Sequence, residues 1–285
     1  MSKKALFGPA GNSQSFLRAG YKSTVQAFRW ISEFGLDAFE YPGGNGIRGD
    51  VATFLEMGAE AAKYNIKTSV HTPYFISLSG TDEAKRLNSL HYIEQSLVAC
   101  EALGGDIIVI HTGSAAKISR SEAVALAKDT MYRALEAFPD TKIKFGLETM
   151  GKLNQLGTLK EVLDICSIDR RLCPVVDFGH MNARNIGHLF ETPDDYMRVF
   201  DMISEALGAE YAENLHCHFS KIEYTDKGEK KHLTFADETY GPEFDNLAVV
   251  IAGEGLAPRI ICESDGTMAE DALTMKKTYL AELNK

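Results

Sequence analysis

The side chains best suited to hold a metal ion recur at one kind of place in this sequence. His71 ends "KTSVH", His111 ends "DIIVIH", Glu148 ends "IKFGLE", and Asp177 ends "CPVVD" with His180 three residues on. His216 and His218 alternate in "LHCHF", and Glu263 follows "RIIC". Each stands at the close of a short apolar run. Two more, Glu229 and His232 in "GEKKHL", lie just beyond the run that carries His216 and His218. For any one of them a bland role, such as satisfying a backbone amide, is at least as good an account. Together they are harder to dismiss, because they take six of the chain's eight histidines. Carboxylates gathered in one buried place repel one another unless cations accompany them. Imidazole plus carboxylate, with no Cys-x-x-Cys pair, is a ligand set for Zn²⁺, Mn²⁺ or Fe²⁺ rather than for a thiolate-bound structural zinc. His91, inside a helical segment, and His188, in a loop, fall outside the pattern and are read as structural.

The elements that would position these groups can be read from periodicity. Eight runs of four to seven mainly Val, Ile, Leu and Phe residues each end in Gly, Pro or polar residues. Near-continuous apolar runs of that kind fit strands buried on both faces of a parallel sheet. Between them lie segments with helical signatures, such as "STVQAFRWISEFG", with hydroxyl caps and a glycine stop, and "GDVATFLEMGAEAAKYN", with an apolar stripe. The segment "TDEAKRLNSLHYIEQSLVACEALGG" reads as one helix opening at Thr81. Strict alternation predicts a single (β/α)8 TIM-barrel domain over residues 1–285, with its chemistry at the carboxyl ends of the strands. The lysine-bearing stretch after the seventh run is expected to be a long loop.

Composition narrows the classes. The chain has 285 residues, 45% hydrophobic and 25% charged, as an ordinary globular protein does. No apolar stretch approaches the length of a membrane span, and the N-terminus does not resemble a signal peptide. Five scattered cysteines suit buried free thiols in a reducing compartment, so a cytoplasmic location is expected. The net charge of -10 argues against broad nonspecific binding to nucleic acid, though bound cations would make the field locally positive.

At these residues the sequence resembles the endonuclease IV family of apurinic/apyrimidinic endonucleases, over nearly its whole length and in order. "VHTPYFISL", "VIHTGS", "LETMGK", "VVDFGH" and "ICESDG" are similar to the family's ligand segments. The resemblance implies a TIM barrel, a zinc-dependent hydrolase and a DNA repair function. Its substrate would be double-stranded DNA, cut 5′ to an abasic site. It implies about two to three Zn²⁺ per chain, with Mn²⁺ or Fe²⁺ as alternatives. The ligands carried over are His71, His111, Glu148, Asp177, His180, His218, His232 and Glu263, with Glu148 as the catalytic, bridging carboxylate. Two places depart from the family. "LHCHFS" offers His216 beside His218, of which His218 is preferred because it lies nearer the strand end. Lys230 stands where the family has an aspartate, so Glu229 can serve only if the segment bends differently.

The resemblance also implies a DNA wedge at Tyr74 and Phe75, whose apolar side chains would fill the abasic gap. Lys221, Lys227, Lys230 and Lys231 are candidate phosphate contacts. A monomer is expected, with no membrane partner. The rival is a sugar isomerase or epimerase of the xylose isomerase-like class. That chemistry needs one divalent cation, and Glu148, Asp177, His218 and Glu263 would hold it. A noncatalytic metal-bearing barrel is a third reading, supported only by Lys230. The isomerase or epimerase reading leaves His71, His111, His180, His232 and the Tyr74–Phe75 pair without a use.

Overall fold

The structure, a computed structural model, describes residues 4–285. Seven strands come first: β1 (Leu6–Pro9), β2 (Ala38–Pro42), β3 (Lys67–His71), β4 (Ile107–His111), β5 (Lys144–Glu148), β6 (Leu172–Asp177) and β7 (His216–Phe219). A hairpin follows, β8 (Ile222–Thr225) and β9 (Gly228–His232), and then β10 (Arg259–Cys262). The eight strands other than the hairpin form one parallel sheet in the order β1-β10-β7-β6-β5-β4-β3-β2. A parallel bridge between Ala10 and Glu40 brings its two edges together, so the sheet is a TIM barrel. Gly8 permits the closure: a Cβ there would lie 1.8 Å from the Ala38 carbonyl oxygen.

The helices are α1 (Gln14–Arg18), α2 (Ala27–Glu33), α3 (Val51–Lys63), α4 (Glu83–Leu87), α5 (Ser89–Leu103) and α6 (Arg120–Ala137). They continue with α7 (Leu159–Cys166), α8 (Phe178–Arg184), α9 (Pro193–Leu207), α10 (Ala209–Glu213), α11 (Asp245–Gly253) and α12 (Met268–Leu283). Two sequence expectations change here. The helix expected to open at Thr81 begins after Asp82, whose carboxylate accepts from the Lys85 amide, and it divides at Asn88 into α4 and α5. The expected loop after β7 is the β8–β9 hairpin.

Side chains alternate across each strand, and that alternation places the chemistry. On β4 and β5, Ile108, Ile110, Phe145 and Leu147 belong to the main buried core, packed towards the helices. Ile107, Val109 and Val175 form a separate small cluster with Cys173. Continuing the same two-residue step upward reaches His111 on β4 and Asp177 on β6. The strands therefore fill the lower barrel with aliphatic groups and deliver ligand-type side chains to its upper end. All five cysteines are free thiols, and among the described residues no helix is long and apolar enough to cross a membrane.

Candidate metal centre

Three groups of side chains at the carboxyl ends of the strands bring potential ligand atoms within 4.8 Å of one another. The first is His71, His111 and Glu148, the second Glu148, Asp177, His218 and Glu263, the third His180, Glu229 and His232. Glu148 belongs to the first two and is fully buried. Its Oε2 lies 3.4 Å from His71 Nε2 and 3.1 Å from His111 Nε2, while Oε1 is 3.0 Å from His218 Nδ1. The structure thus gathers all nine metal-ligand candidates carried forward from the sequence. His216 lies lower, and its Nε2 donates to Glu40 rather than facing Glu148.

The Asp177–His180 spacing has a local cause. Asp177 is the N-cap of α8, and its Oδ1 accepts from the His180 amide at 2.7 Å. An N-cap side chain normally reaches the second or third helical amide, so a residue three positions on is drawn back beside the cap. His180 Nδ1 accordingly sits 3.4 Å from Asp177 Oδ2.

The third group resolves the difficulty posed by Lys230. In a regular strand, residues three apart face opposite sides, which would separate Glu229 from His232. The β8–β9 pairing shifts register: Glu223 faces Lys231, yet Tyr224 faces Glu229, leaving Lys230 as the extra residue. That bulge turns Glu229 and His232 to the same side. Glu229 Oε2 then lies 3.5 Å from His180 Nε2. Gly151 makes room, since a Cβ there would meet Glu229 Cβ at 2.6 Å and Oε2 at 2.9 Å.

Several rings are fixed through the nitrogen they do not offer. His71 Nδ1 donates to the Thr72 carbonyl at 2.8 Å, and His180 Nδ1 to the Thr149 carbonyl at 3.0 Å. Ser220 Oγ holds His232 Nδ1 at 2.8 Å. Such outer contacts select the tautomer and ring orientation of a metal-ligating histidine. Two buried carboxylate oxygens in the centre, Glu148 Oε2 and Asp177 Oδ2, have no hydrogen-bond partner. Unpartnered buried carboxylate oxygens are costly, and a cation would satisfy both. The donor set and these orphaned atoms fit divalent metal ions.

Without a cation, protons hold the charges together. Burial works against a charged Glu148, yet the imidazoles of His218, His111 and His71 keep its carboxyl well below the usual range. Burial likewise opposes charge on His71 and His180, but the Glu148 carboxylate pushes His71 up to about 9, and Asp177 and Glu229 push His180 to about 9. His111 is lowered, chiefly by burial. Raised imidazoles stabilise the metal-free fold below their ordinary value of 6.5, and that contribution is lost as pH rises through about 9. Chelator-stripped protein is therefore expected to melt at progressively lower temperature from pH 6.5 to 9. The added stability from a divalent cation should grow over the same range, because the cation and the protons compete for the same nitrogens. A stripped protein whose melting temperature does not change over this range would contradict the electrostatic account.

Tyr74 and Phe75 stand on the rim, 60% and 55% exposed. The Tyr74 ring lies 5.0 Å from that of His111 and 5.5 Å from that of His71, so it overhangs the first group. Phe75 leans on Tyr92. Of the lysines considered for phosphate contact, Lys221 is not available. It is buried, with Nζ bound to Glu243 Oε1 and the Asp237 carbonyl. Lys230 and Lys231 pair with Glu223, whereas Lys227 is exposed. The sequence reading passed over one buried residue of this region, Glu40. Its signal was a lone carboxylate inside the apolar run "LDAFEYP".

Comparison with known proteins agrees with the architecture. Residues 28–278 match the family described as xylose isomerase-like TIM barrel. An uncharacterized protein of Methanocaldococcus jannaschii is 27% identical over 213 residues, 74% of this chain and 76% of that one. A probable endonuclease 4 of Mycoplasma pneumoniae is 28% identical over 190 residues, 64% of this chain and 62% of its own length. This chain thus spans less than two thirds of that curated endonuclease. Among solved structures, endonuclease IV from Thermus thermophilus superposes with a TM-score of 0.67 at 18% identity, covering 92% of this chain and 94% of that one. A D-tagatose 3-epimerase-like protein gives 0.70 at 19% identity, covering 92% and 95%. At such identities the structural likeness shows the fold alone, and it does not separate a nuclease from an epimerase.

Proposed function

The chain belongs to the xylose isomerase-like TIM barrel family, and from that premise we propose that it is a metal-dependent phosphodiesterase of the AP endonuclease type. On this reading it cleaves duplex DNA 5′ to abasic sites. The relatives named endonuclease 4 support a nuclease. The observation that carries the proposal is the third group, His180 with Glu229 and His232. A single-cation sugar isomerase would be complete with Glu148, Asp177, His218 and Glu263 and would have no use for it.

Bound at the three groups, divalent cations would supply Lewis-acid charge to the phosphate and lower the pKa of an attacking water. The chain's own residues do the rest. Glu148 ties the first group to the second and draws their imidazoles inward. His71, His180 and His232 are held by their outer contacts, so the centre is preorganised before substrate arrives. Glu229 and His232, brought in by the β9 bulge, would hold a cation together with His180. Tyr74 and Phe75 present apolar surface where a missing base would leave a gap, offsetting lost stacking in a bent duplex.

Metal content distinguishes this reading from the single-cation alternative. Purified protein should carry about two to three equivalents of Zn²⁺, Mn²⁺ or Fe²⁺ by elemental analysis, whereas one equivalent favours a sugar isomerase or epimerase. The wedge is tested separately. Tyr74→Ala and Phe75→Ala are expected to weaken binding to an abasic duplex by about 10-fold each, in line with ~1–3 kcal/mol per stacked base. Neither side chain belongs to the ligand groups, so metal content should stay unchanged. Unaltered affinity for the abasic duplex would remove them from the binding surface.

A further inference from the structure

Beneath the centre lies a fourth cluster, Glu40 on β2 with His216 and His218 on β7, of which the proposed function leaves Glu40 and His216 without a role. Glu40 and His218 are fully buried, and His216 nearly so. The carboxylate is firmly anchored: its Oε2 accepts from Ser69 Oγ at 2.8 Å and from His216 Nε2 at 3.0 Å. Those two contacts turn Oε1 towards His218, whose Nε2 lies 2.9 Å away in an ion-pair contact. The opposite nitrogen of the same ring, Nδ1, faces Glu148 Oε1 at 3.0 Å and Glu263 Oε1 at 3.5 Å.

We propose that Glu40 is a positioning residue that holds the His218 ring so that Nδ1, not Nε2, is presented to the cation group formed with Glu148, Asp177 and Glu263. The inference rests on the metal-centre reading above, but it holds equally for a nuclease or a single-cation enzyme, since both use this group. His71 and His180 are oriented by backbone carbonyls and His232 by a hydroxyl. His218 instead faces a carboxylate at ion-pair distance, and a carboxylate outer partner both fixes a histidine ligand and raises its basicity. A ring whose two nitrogens sit between buried carboxylates has two edgewise orientations of similar attraction. Glu40 settles the choice because its other oxygen is tied to Ser69 and His216 and cannot swing away. His216, the second histidine of the alternating pair, thereby gains a use as an anchor of Glu40.

The test uses the whole protein loaded with Co²⁺, whose visible absorption reports the ligand field, and follows chelator competition. Glu40→Gln keeps the side-chain volume but removes the charge. One class of sites is expected to lose about 10- to 100-fold in affinity, with a shift in its visible band, while the remaining sites hold their cation as before. If that variant does not fold, Ser69→Ala serves, since it removes one of the two anchors of Oε2 without emptying the cluster. It should weaken the same class of sites about threefold, a fraction of the full effect. Unchanged affinity and an unchanged spectrum in the variant that folds would overturn the assignment. So would more than three equivalents in the wild type, which would make Glu40 a ligand itself. A wild type that takes up no Co²⁺ would overturn the metal reading and this inference with it, an outcome distinct from a variant that matches a loaded wild type.

Discussion

Glu148→Gln is expected to reduce incision at an abasic site by on the order of 10³-fold or more, because it removes a fixed charge from the heart of the reacting site. The substitution keeps shape and volume, so its effect is one of charge and ligation. Glu148 touches His71, His111 and His218 and lies 3.5 Å from His180, so every group depends on it directly or through a neighbour. A neutral amide can donate as well as accept, and it would turn a donor towards imidazole nitrogens that need an acceptor or a cation. Elemental analysis should show loss from both groups that share this carboxylate, with circular dichroism unchanged. A variant that keeps its metal and more than a tenth of wild-type incision would contradict the bridging role.

The second large effect is expected at the third group and separates the two enzyme readings. His232→Ala removes a partly exposed side chain at the end of β9. It should lose one cation equivalent and about 10²-fold in incision, the lower end for removing a stabilising group from a hydrolytic site. Glu229→Ala should behave alike, since Glu229 reaches His180 at 3.5 Å. Glu148, Asp177, His218 and Glu263 remain complete in both variants, so an isomerase or epimerase activity would persist. If metal content and incision both survive His232→Ala, the third group has no part in the chemistry.

Much of the barrel was legible in the sequence because its signal is local. Each buried parallel strand is a short apolar run, and the ligand-type residue at its end is where the inward step of the strand meets the mouth. Asp177 and His180 could be paired from spacing alone, and the N-cap of α8 supplies the reason. What escaped depends on pairing between segments. The β9 bulge is set by register against β8, and nothing in "GEKKHL" states it, so the face taken by Glu229 could not be read. Lys221 looked like a phosphate contact because lysine is usually solvated, but Glu243 and the Asp237 carbonyl, both later in the chain, bury and neutralise it. Glu40 was hidden for the same kind of reason. Its partner Ser69 stands opposite it on the neighbouring strand β3, and closure of the barrel brings His216 of β7 across to it.

We propose that this centre cleaves a phosphodiester bond beside a missing base. The most direct test is a labelled duplex containing a single tetrahydrofuran abasic analogue, incubated with metal-replete protein and resolved on a denaturing gel. A single incision 5′ to the analogue is expected, persisting in mild EDTA that sequesters magnesium and absent from an undamaged duplex. Protein that is fully loaded with metal and leaves the damaged strand intact would contradict the proposal.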